Sequence, residues 1–190
     1  MKWTIALVII SIAASSVLGG ERTLVGDRTK IDIFFGPTTS LSQVRDDFAL
    51  YIGARLGCVL NHALLLGAGG HYLANDVEVE DTPGVSNLRM GYGGPVLGYV
   101  ILSDAVVHAC ISTLVGGGQI QFRGASSEDH DSEEFFILVP ELDVEINITA
   151  NLRLELGANY RLVRGAELAP IDDEDLEGFS GVVRIKLGSF

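Results

Sequence analysis

The chain has 190 residues, a formal net charge of −12 and a positive mean hydropathy of +0.33. Such an acidic chain lacks the basic footprint of a nucleic-acid-binding protein, so nucleic acid is excluded as a partner. Yet beyond the first twenty residues no apolar run approaches the length of a membrane-spanning helix. Abundant apolar residues that are spread through a chain as alternation are typical of a membrane β-barrel.

The first twenty residues have the three parts of a secretory signal peptide. Lys2 supplies the positive charge, residues 3–17 form an apolar run, and Gly19 and Gly20 suit cleavage. The apolar run is shorter than the roughly 20 residues that a membrane anchor needs. We therefore predict a signal peptide at residues 1–20 and one mature domain at residues 21–190.

The rest of the chain divides into eight segments with the period-two alternation of β-strands. The predicted strands are residues 28–36, 48–60, 63–74, 88–102, 106–123, 134–148, 151–164 and 178–190. The predicted long loops are residues 37–47, 75–87, 124–133 and 165–177, and the short turns are residues 61–62, 103–105 and 149–150. Alternating long and short connections are typical of an up-and-down barrel whose termini lie in the periplasm.

Two stretches depart from this regular pattern. The parity of the fourth strand is ambiguous at residues 93–95, and Gly116 to Gly118 predict a bulge that changes the parity of the fifth strand. Residues 41–56 are the only good helix candidate. Because one helix cannot cover such a sheet, a βαβ fold is disfavoured.

Each predicted hairpin has one apolar wall and one ionic wall, most clearly at residues 141–164. If the ionic wall faced lipid, each mid-membrane Arg or Lys would cost about 2 to 4 kcal/mol, and several would exceed the roughly 5 to 15 kcal/mol of net stability. We therefore predict an ionic network inside the barrel, whose lumen side chains fill. Its members are Lys30, Asp32, Arg55, Glu141, Asp143, Glu145, Arg153, Glu155, Arg161, Arg184 and Lys186.

Six aromatic residues share the predicted lipid-facing parity and lie at the loop-side ends of the predicted strands. They are Phe35, Phe48, Tyr72, Phe122, Phe136 and Phe179. Aromatic girdles of this kind mark the interface between membrane and water. The pattern therefore predicts a girdle on the outer side.

Together these patterns predict an all-β fold, an eight-stranded antiparallel up-and-down transmembrane β-barrel with a side-chain-filled lumen. The alternative is a soluble lipocalin-like barrel in the periplasm, which has the same alternation turned inside out. Residues 64–70, LLLGAGG, carry no charge on either face and would make poor soluble surface. This stretch favours the membrane barrel.

Chemistry-bearing residues are present without a recognisable catalytic or metal motif. The loop sequences 76–81, 128–134 and 171–177 are acidic and suit weak binding of divalent cations. His62, His71, His108 and His130 lack metal-ligand spacing, so neither a cofactor nor a catalytic site is predicted. The only combination to nominate for an enzyme is His71 near Glu78 or Glu80.

The two cysteines are expected to stay unpaired although the chain is predicted to enter an oxidising compartment. Cys58 and Cys110 fall on nonadjacent predicted strands. Parity directs Cys58 to lipid and Cys110 inward, so we predict two free thiols.

Several passages resemble a group of uncharacterised outer-membrane β-barrel proteins, small porin-like barrels of the Bacteroidetes type. The passages are residues 53–76, 88–101, 114–122, 135–165 and 175–190. The last two read as an aromatic-rich strand, a proline, acidic alternation, an asparagine-containing turn, a Leu-Gly-x-x-Tyr-Arg strand and a final Gly-x-Phe. The resemblance implies a barrel in the outer membrane, and Phe190 resembles the aromatic that barrel-assembly machinery recognises, although its parity matches that of Arg184 and Lys186.

These patterns predict a cell outer-membrane protein with a structural or envelope-interaction role, acidic extracellular loops and no enzymatic activity. Its expected partners are outer-membrane lipid, the barrel-assembly machinery during biogenesis, and divalent cations bound weakly at the loops. Three alternatives stay open: a narrow pore or carrier for small solutes, an outer-membrane lipid-modifying enzyme, and the soluble periplasmic binding barrel.

Overall fold

A computed structural model describes residues 29–45, 47–79, 86–123, 132–166 and 171–190. The predicted signal peptide at residues 1–20 lies outside these ranges, as do Glu80, His130 and most of the acidic stretch at residues 128–134. None of the described helices is long or apolar enough to cross a membrane.

Antiparallel strands make up nearly all of the described chain. In chain order the elements are β1 (Ile31–Val44), β2 (Asp47–Leu60), β3 (Leu64–Leu73), β4 (Glu78–Val79), β5 (Ser86–Ile101), β6 (Val107–Arg123), β7 (Ser132–Thr149), β8 (Leu152–Arg164), the one-turn helix α1 (Asp173–Leu176) and β9 (Gly178–Gly188). Sequential strands pair as neighbours, β3 pairs with β5, and β9 pairs back with β1. The two-residue β4 only extends the edge of β5. The predicted eight-stranded up-and-down β-barrel is confirmed.

Side chains alternate between the two walls along every long strand. Ile52, Leu97 and Leu142 point outward and are 50 to 57% exposed. Seven charged side chains of β7, β8 and β9 point inward and are buried: Glu141, Asp143, Glu145, Glu155, Arg161, Arg184 and Lys186. The outer wall is therefore apolar and the lumen holds the charges.

β1 is eight residues longer at its C-terminal end than the alternation predicts. Residues 37–44, predicted as part of a long loop, pair with β2 in unbroken register, and β2 begins only three residues after β1 ends. The hydroxyls of Thr38, Ser40 and Ser42 line the lumen and are buried. Because the lumen face of β1 is polar here, the sequence shows no alternation of apolar and charged residues. The helix candidate at residues 41–56 forms the end of β1 and most of β2 instead.

Connections at the opposite end of the barrel are short, as predicted. Asn61 and His62 both have positive φ, at 51° and 58°, which is the backbone of a type I′ hairpin turn. The other two short connections follow Ile101 and Thr149. We call this end the short-turn end and the opposite one the loop end.

The predicted bulge at Gly116 to Gly118 is wrong. β6 keeps a constant register with β7 through all three glycines, and the fourth strand is likewise regular at residues 93–95 against β3. Ile120 is consequently buried in the lumen with Leu114. The register shift that does occur lies between Asn147 and Thr149.

The described parts of the last connection, residues 165–166 and 171–177, lie at the loop end of the barrel. Ala166, Ile171 and Leu176 are buried there. Asp172 caps α1 by accepting hydrogen bonds from the backbone N–H groups of Glu174 and Asp175, which satisfies donors that a helix start leaves free. We call these described residues the closing segment, because they place buried apolar side chains at the loop end.

Candidate functional site

The ionic layer is a buried cluster of seven charged side chains in the lumen. Its members are Arg55 on β2, Glu141, Asp143 and Glu145 on β7, Glu155 on β8, and Arg184 and Lys186 on β9. Each of the seven residues is at most 4% exposed. Charged side chains are stable in a buried position only when partners compensate for their lost hydration. The contacts among these seven side chains therefore decide whether each charge is compensated.

Arg184 is the centre of the ionic layer. Its guanidinium donates hydrogen bonds to Glu155 at 2.6 Å and Glu141 at 3.0 Å, and its Nε donates to the Thr38 hydroxyl at 2.9 Å. One cation therefore joins three strands, β7, β8 and β1, besides its own.

Lys186 and Arg55 complete the layer on either side. Lys186 Nζ lies 2.6 Å from Glu145 and 3.1 Å from Glu155. Arg55 donates to Glu141 at 2.7 Å from the opposite wall of the barrel. Ion pairs thus cross the lumen rather than running along one wall.

Three predicted network members lie elsewhere, and a fourth, Arg153, joins the ionic layer at its edge. Lys30 is exposed at the short-turn end, where Asp32 pairs with His62 at 2.9 Å. Arg153 is partly buried, donates to Glu145 at 2.7 Å and stacks 3.8 Å from the Phe190 ring. Lys30 is therefore not part of a lumen network, and the described ion pair of Asp32 joins it to His62 and not to the ionic layer.

Arg161 is fully buried but lies nearer the loop end, apart from the ionic layer. It donates to Ser180 Oγ at 2.8 Å and to the carbonyl oxygens of Gln43 and Leu176 at 3.2 and 3.3 Å. Its guanidinium lies 4.6 Å from the centre of the Tyr51 ring. Arg161 therefore fastens the closing segment to the barrel instead of joining the ion pairs.

Sequence reasoning missed three further polar members of the layer. Ser112 accepts a hydrogen bond from Arg55 at 3.3 Å, Asn159 donates to Glu141 at 3.1 Å, and His108 lies 3.3 Å from Glu145. All three share inward parity with their charged neighbours, which was the available signal. Serine, asparagine and histidine side chains did not stand out beside the alternating Asp, Glu, Arg and Lys residues.

Above the ionic layer the lumen is filled with apolar and aromatic side chains. Met90, Ile120 and Ile137 are wholly buried there. His71 stacks on Tyr92 with ring centres 5.1 Å apart. The described residues therefore place His71 inside the lumen, while the side chains of its nominated partners Glu78 and Glu80 lie outside the described part of the chain.

Four of the six predicted girdle residues point outward near the loop end: Phe48, Tyr72, Phe136 and Phe179, which are 43 to 76% exposed. Phe35 also points outward, but it pairs with Leu56 and Leu187. That register puts it toward the short-turn end, so its assignment to the outer girdle is wrong; the unpredicted length of β1 is the reason. The side chain of Phe122 lies outside the described part of the chain.

The carboxylates of Glu141, Asp143 and Glu155 have oxygens within 4.8 Å of one another. Such a group can attract a cation, but Arg184 and Lys186 already occupy that role. Cys110 lies buried beside this group, opposite Asp143, and Cys58 is half-buried with outward parity; both thiols are free.

Gly157 provides the space in which Asp143 lies. A Cβ at residue 157 would collide with the Asp143 carboxyl group and the Leu142 carbonyl. We expect Gly157→Ala to destabilise the barrel by about 1 to 3 kcal/mol, the usual cost of overpacking. Gly181→Ala is the matched control, because nothing lies within 4 Å of its added Cβ. Equal unfolding midpoints for the two variants in detergent would contradict this close approach.

Known structures share this fold at low sequence identity. Neisserial surface protein A matches with a TM-score of 0.64 and 8% identity over 85% of this chain and 99% of its own. The N-terminal β-barrel domain of Pseudomonas aeruginosa OprF matches at 0.51 and 10%, over 82% and 96%. The Yersinia pestis protein Ail matches at 0.49 and 13%, over 83% and 95%. These neighbours are small outer-membrane barrels of eight strands.

No protein-family model matches the chain, and neither does the sequence of any curated protein. At the identities found, the structural neighbours show the fold alone. The resemblance to the Bacteroidetes-type group stays a prediction.

Proposed function

We propose that this chain is an outer-membrane β-barrel protein with a closed lumen and a structural or envelope-interaction role. The observation that carries the proposal is the sidedness of the wall: large apolar side chains outside, ion pairs inside. Membrane barrels of this size have that distribution. We further propose that the protein has no enzymatic activity.

The outer wall supports the membrane location over a soluble barrel. Twenty-four large hydrophobic side chains are exposed among the described residues, far more contiguous apolar surface than soluble monomers carry. In a lipocalin-like barrel these side chains would face the cavity. Acyl chains of outer-membrane lipid are the partner that such a wall fits.

The filling of the lumen supports a closed barrel over a pore. Ion pairs bridge opposite walls in the ionic layer, and apolar side chains fill the lumen beyond it. The closing segment places the buried side chains of Ala166, Ile171 and Leu176 at the loop end. A narrow pore or carrier would need a continuous water path through the ionic layer and through the apolar side chains beyond it.

The envelope-interaction role rests on the acidic loops. α1 has three acidic residues in its first turn, and the other acidic stretches, at residues 76–81 and 128–134, lie partly outside the described part of the chain. Such loops suit weak binding of divalent cations, which would bridge them to anionic lipid headgroups. During biogenesis the barrel-assembly machinery would insert the chain.

Cell fractionation and planar-bilayer recording test this proposal. We expect the protein in the outer-membrane fraction, with different gel migration before and after boiling in detergent, and no stable conductance from the purified barrel. Recovery with soluble periplasmic protein would overturn the location. A reproducible open conductance would overturn the closed lumen.

A further inference from the structure

Asp143 is the most enclosed carboxyl group of the ionic layer. It is 0% exposed, and its carboxyl group lies against Gly157 of β8. Its backbone partner on β6 is Cys110, which is also fully buried. Water therefore does not reach this carboxyl group from either mouth of the barrel.

The other three carboxylates of the layer have charged donors. Glu141 accepts from Arg55 and Arg184, at 2.7 and 3.0 Å. Glu155 accepts from Arg184 at 2.6 Å, and Glu145 accepts from Lys186 at 2.6 Å. Each cation of the layer is thus already engaged.

Asp143 has no such donor among the described residues. Neither of its oxygens has a hydrogen-bond partner there, and the nearest cationic nitrogen, Arg184 Nη1, is 3.9 Å away. Its close neighbours are instead the carboxylates of Glu141 and Glu155, within 4.8 Å. An ionised Asp143 would be a buried charge that faces two like charges without a donor, which is strongly unfavourable.

We propose that Asp143 binds a proton in the folded barrel and donates its O–H to the neighbouring Glu155 or Glu141 carboxylate. A protonated carboxyl group is the one aspartate form that can donate a hydrogen bond, and adjacent buried carboxyl groups can share a proton in this way. The proton then supplies the hydrogen-bond donor that no described cation gives this carboxyl group.

The groups that face Asp143 favour a proton over a metal ion. Glu141 and Glu145 flank it on β7, Glu155 faces it from β8, and Arg184 and Lys186 stand on β9. A metal ion among the three carboxylates would approach two fixed positive side chains. A proton adds the charge without requiring that space.

Infrared spectroscopy of the full mature barrel in detergent tests the assignment at neutral pH. We expect a carbonyl band of a protonated carboxyl group in the wild type and in Glu155→Gln, and no such band in Asp143→Asn. Absence of the band from the wild type would overturn the proposal. So would a band that survives in Asp143→Asn, because it would place the proton elsewhere.

Isotope labelling keeps the test decisive if a variant fails to fold. Wild-type protein with 13C-labelled aspartate side chains should show the protonated band at lower frequency. Among the described aspartates only Asp143 is fully buried, so it is the residue this shift would report. A band that moves only with labelled glutamate would overturn the assignment.

Proton linkage provides an independent measurement. The folded barrel holds one more proton than the unfolded chain, so its stability falls as pH rises. From mildly acidic to mildly alkaline pH, the unfolding constant of the wild type should rise about tenfold per pH unit relative to Asp143→Asn. Parallel pH profiles of the wild type and Asp143→Asn would overturn the proposal, because they would show that Asp143 is ionised. Stabilisation of the wild type by calcium ions that Asp143→Asn abolishes would also overturn it, because it would indicate a metal site.

Neither assay depends on the proposed envelope role. Failure of the outer-membrane location would leave the spectra unaffected, and loss of the band would leave the location unaffected.

Discussion

Arg184→Leu is expected to destabilise the barrel by about 3 to 5 kcal/mol, the cost of removing one partner from a buried ion pair. Arg184 is 0% exposed and bonds Glu155, Glu141 and Thr38. Without it, two buried carboxylates lose a charged donor and cannot turn to water. Equilibrium unfolding in detergent, followed by the change in gel migration, measures this loss.

An exposed arginine supplies the control for this experiment. The side chain of Arg164 is 65% exposed and pairs with Glu177, so Arg164→Leu should cost no more than about 1 kcal/mol. The double variant Arg184→Leu with Glu155→Gln should lose less stability than the sum of its single variants, because the two groups contact each other. Equal losses from Arg184→Leu and Arg164→Leu would show that the lumen is hydrated.

Leu142→Arg is expected to destabilise the barrel in lipid vesicles by about 2 to 4 kcal/mol, the cost of an arginine near the bilayer midplane. Leu142 lies near the middle of β7, points outward and is 57% exposed. The same substitution on a soluble barrel would place a charge in water and cost little. Reversible unfolding from vesicles measures the difference.

Gln119→Arg is the matched control for lipid contact. Gln119 points outward from β6 and is exposed, but it lies near the loop end. An arginine there should cost about 0 to 1 kcal/mol, as it does near the membrane interface. If Leu142→Arg were as mild as Gln119→Arg, the apolar wall would not face acyl chains.

Sequence reasoning failed where the lumen face of a strand is polar but uncharged. Thr38, Ser40 and Ser42 have the composition of a loop, so β1 was predicted to end near Phe35. That error also moved Phe35 to the wrong end of the barrel. In soluble folds hydroxyl-rich runs are usually loops, and only the enclosing wall of a barrel makes them buried strand residues.

A related failure concerned glycine. Gly116 to Gly118 predicted a bulge, yet the strand there is regular. These glycines instead make room for neighbours: a Cβ at Gly118 would collide with the Phe135 ring. The sequence of one strand does not show which side chain of a neighbouring strand will need the space beside a glycine.

The sequence by itself determined the barrel class and the sidedness of its wall. Period-two alternation is a local property of each strand, and the cost of placing charge in lipid decides which face turns inward without knowledge of any partner. Only the tertiary structure decided which charges meet, since Arg55 and Glu141 are 86 residues apart and Arg184 and Glu141 are 43 apart. Register between distant strands sets those distances, and it alone shows that Asp143 has no charged donor among the described residues.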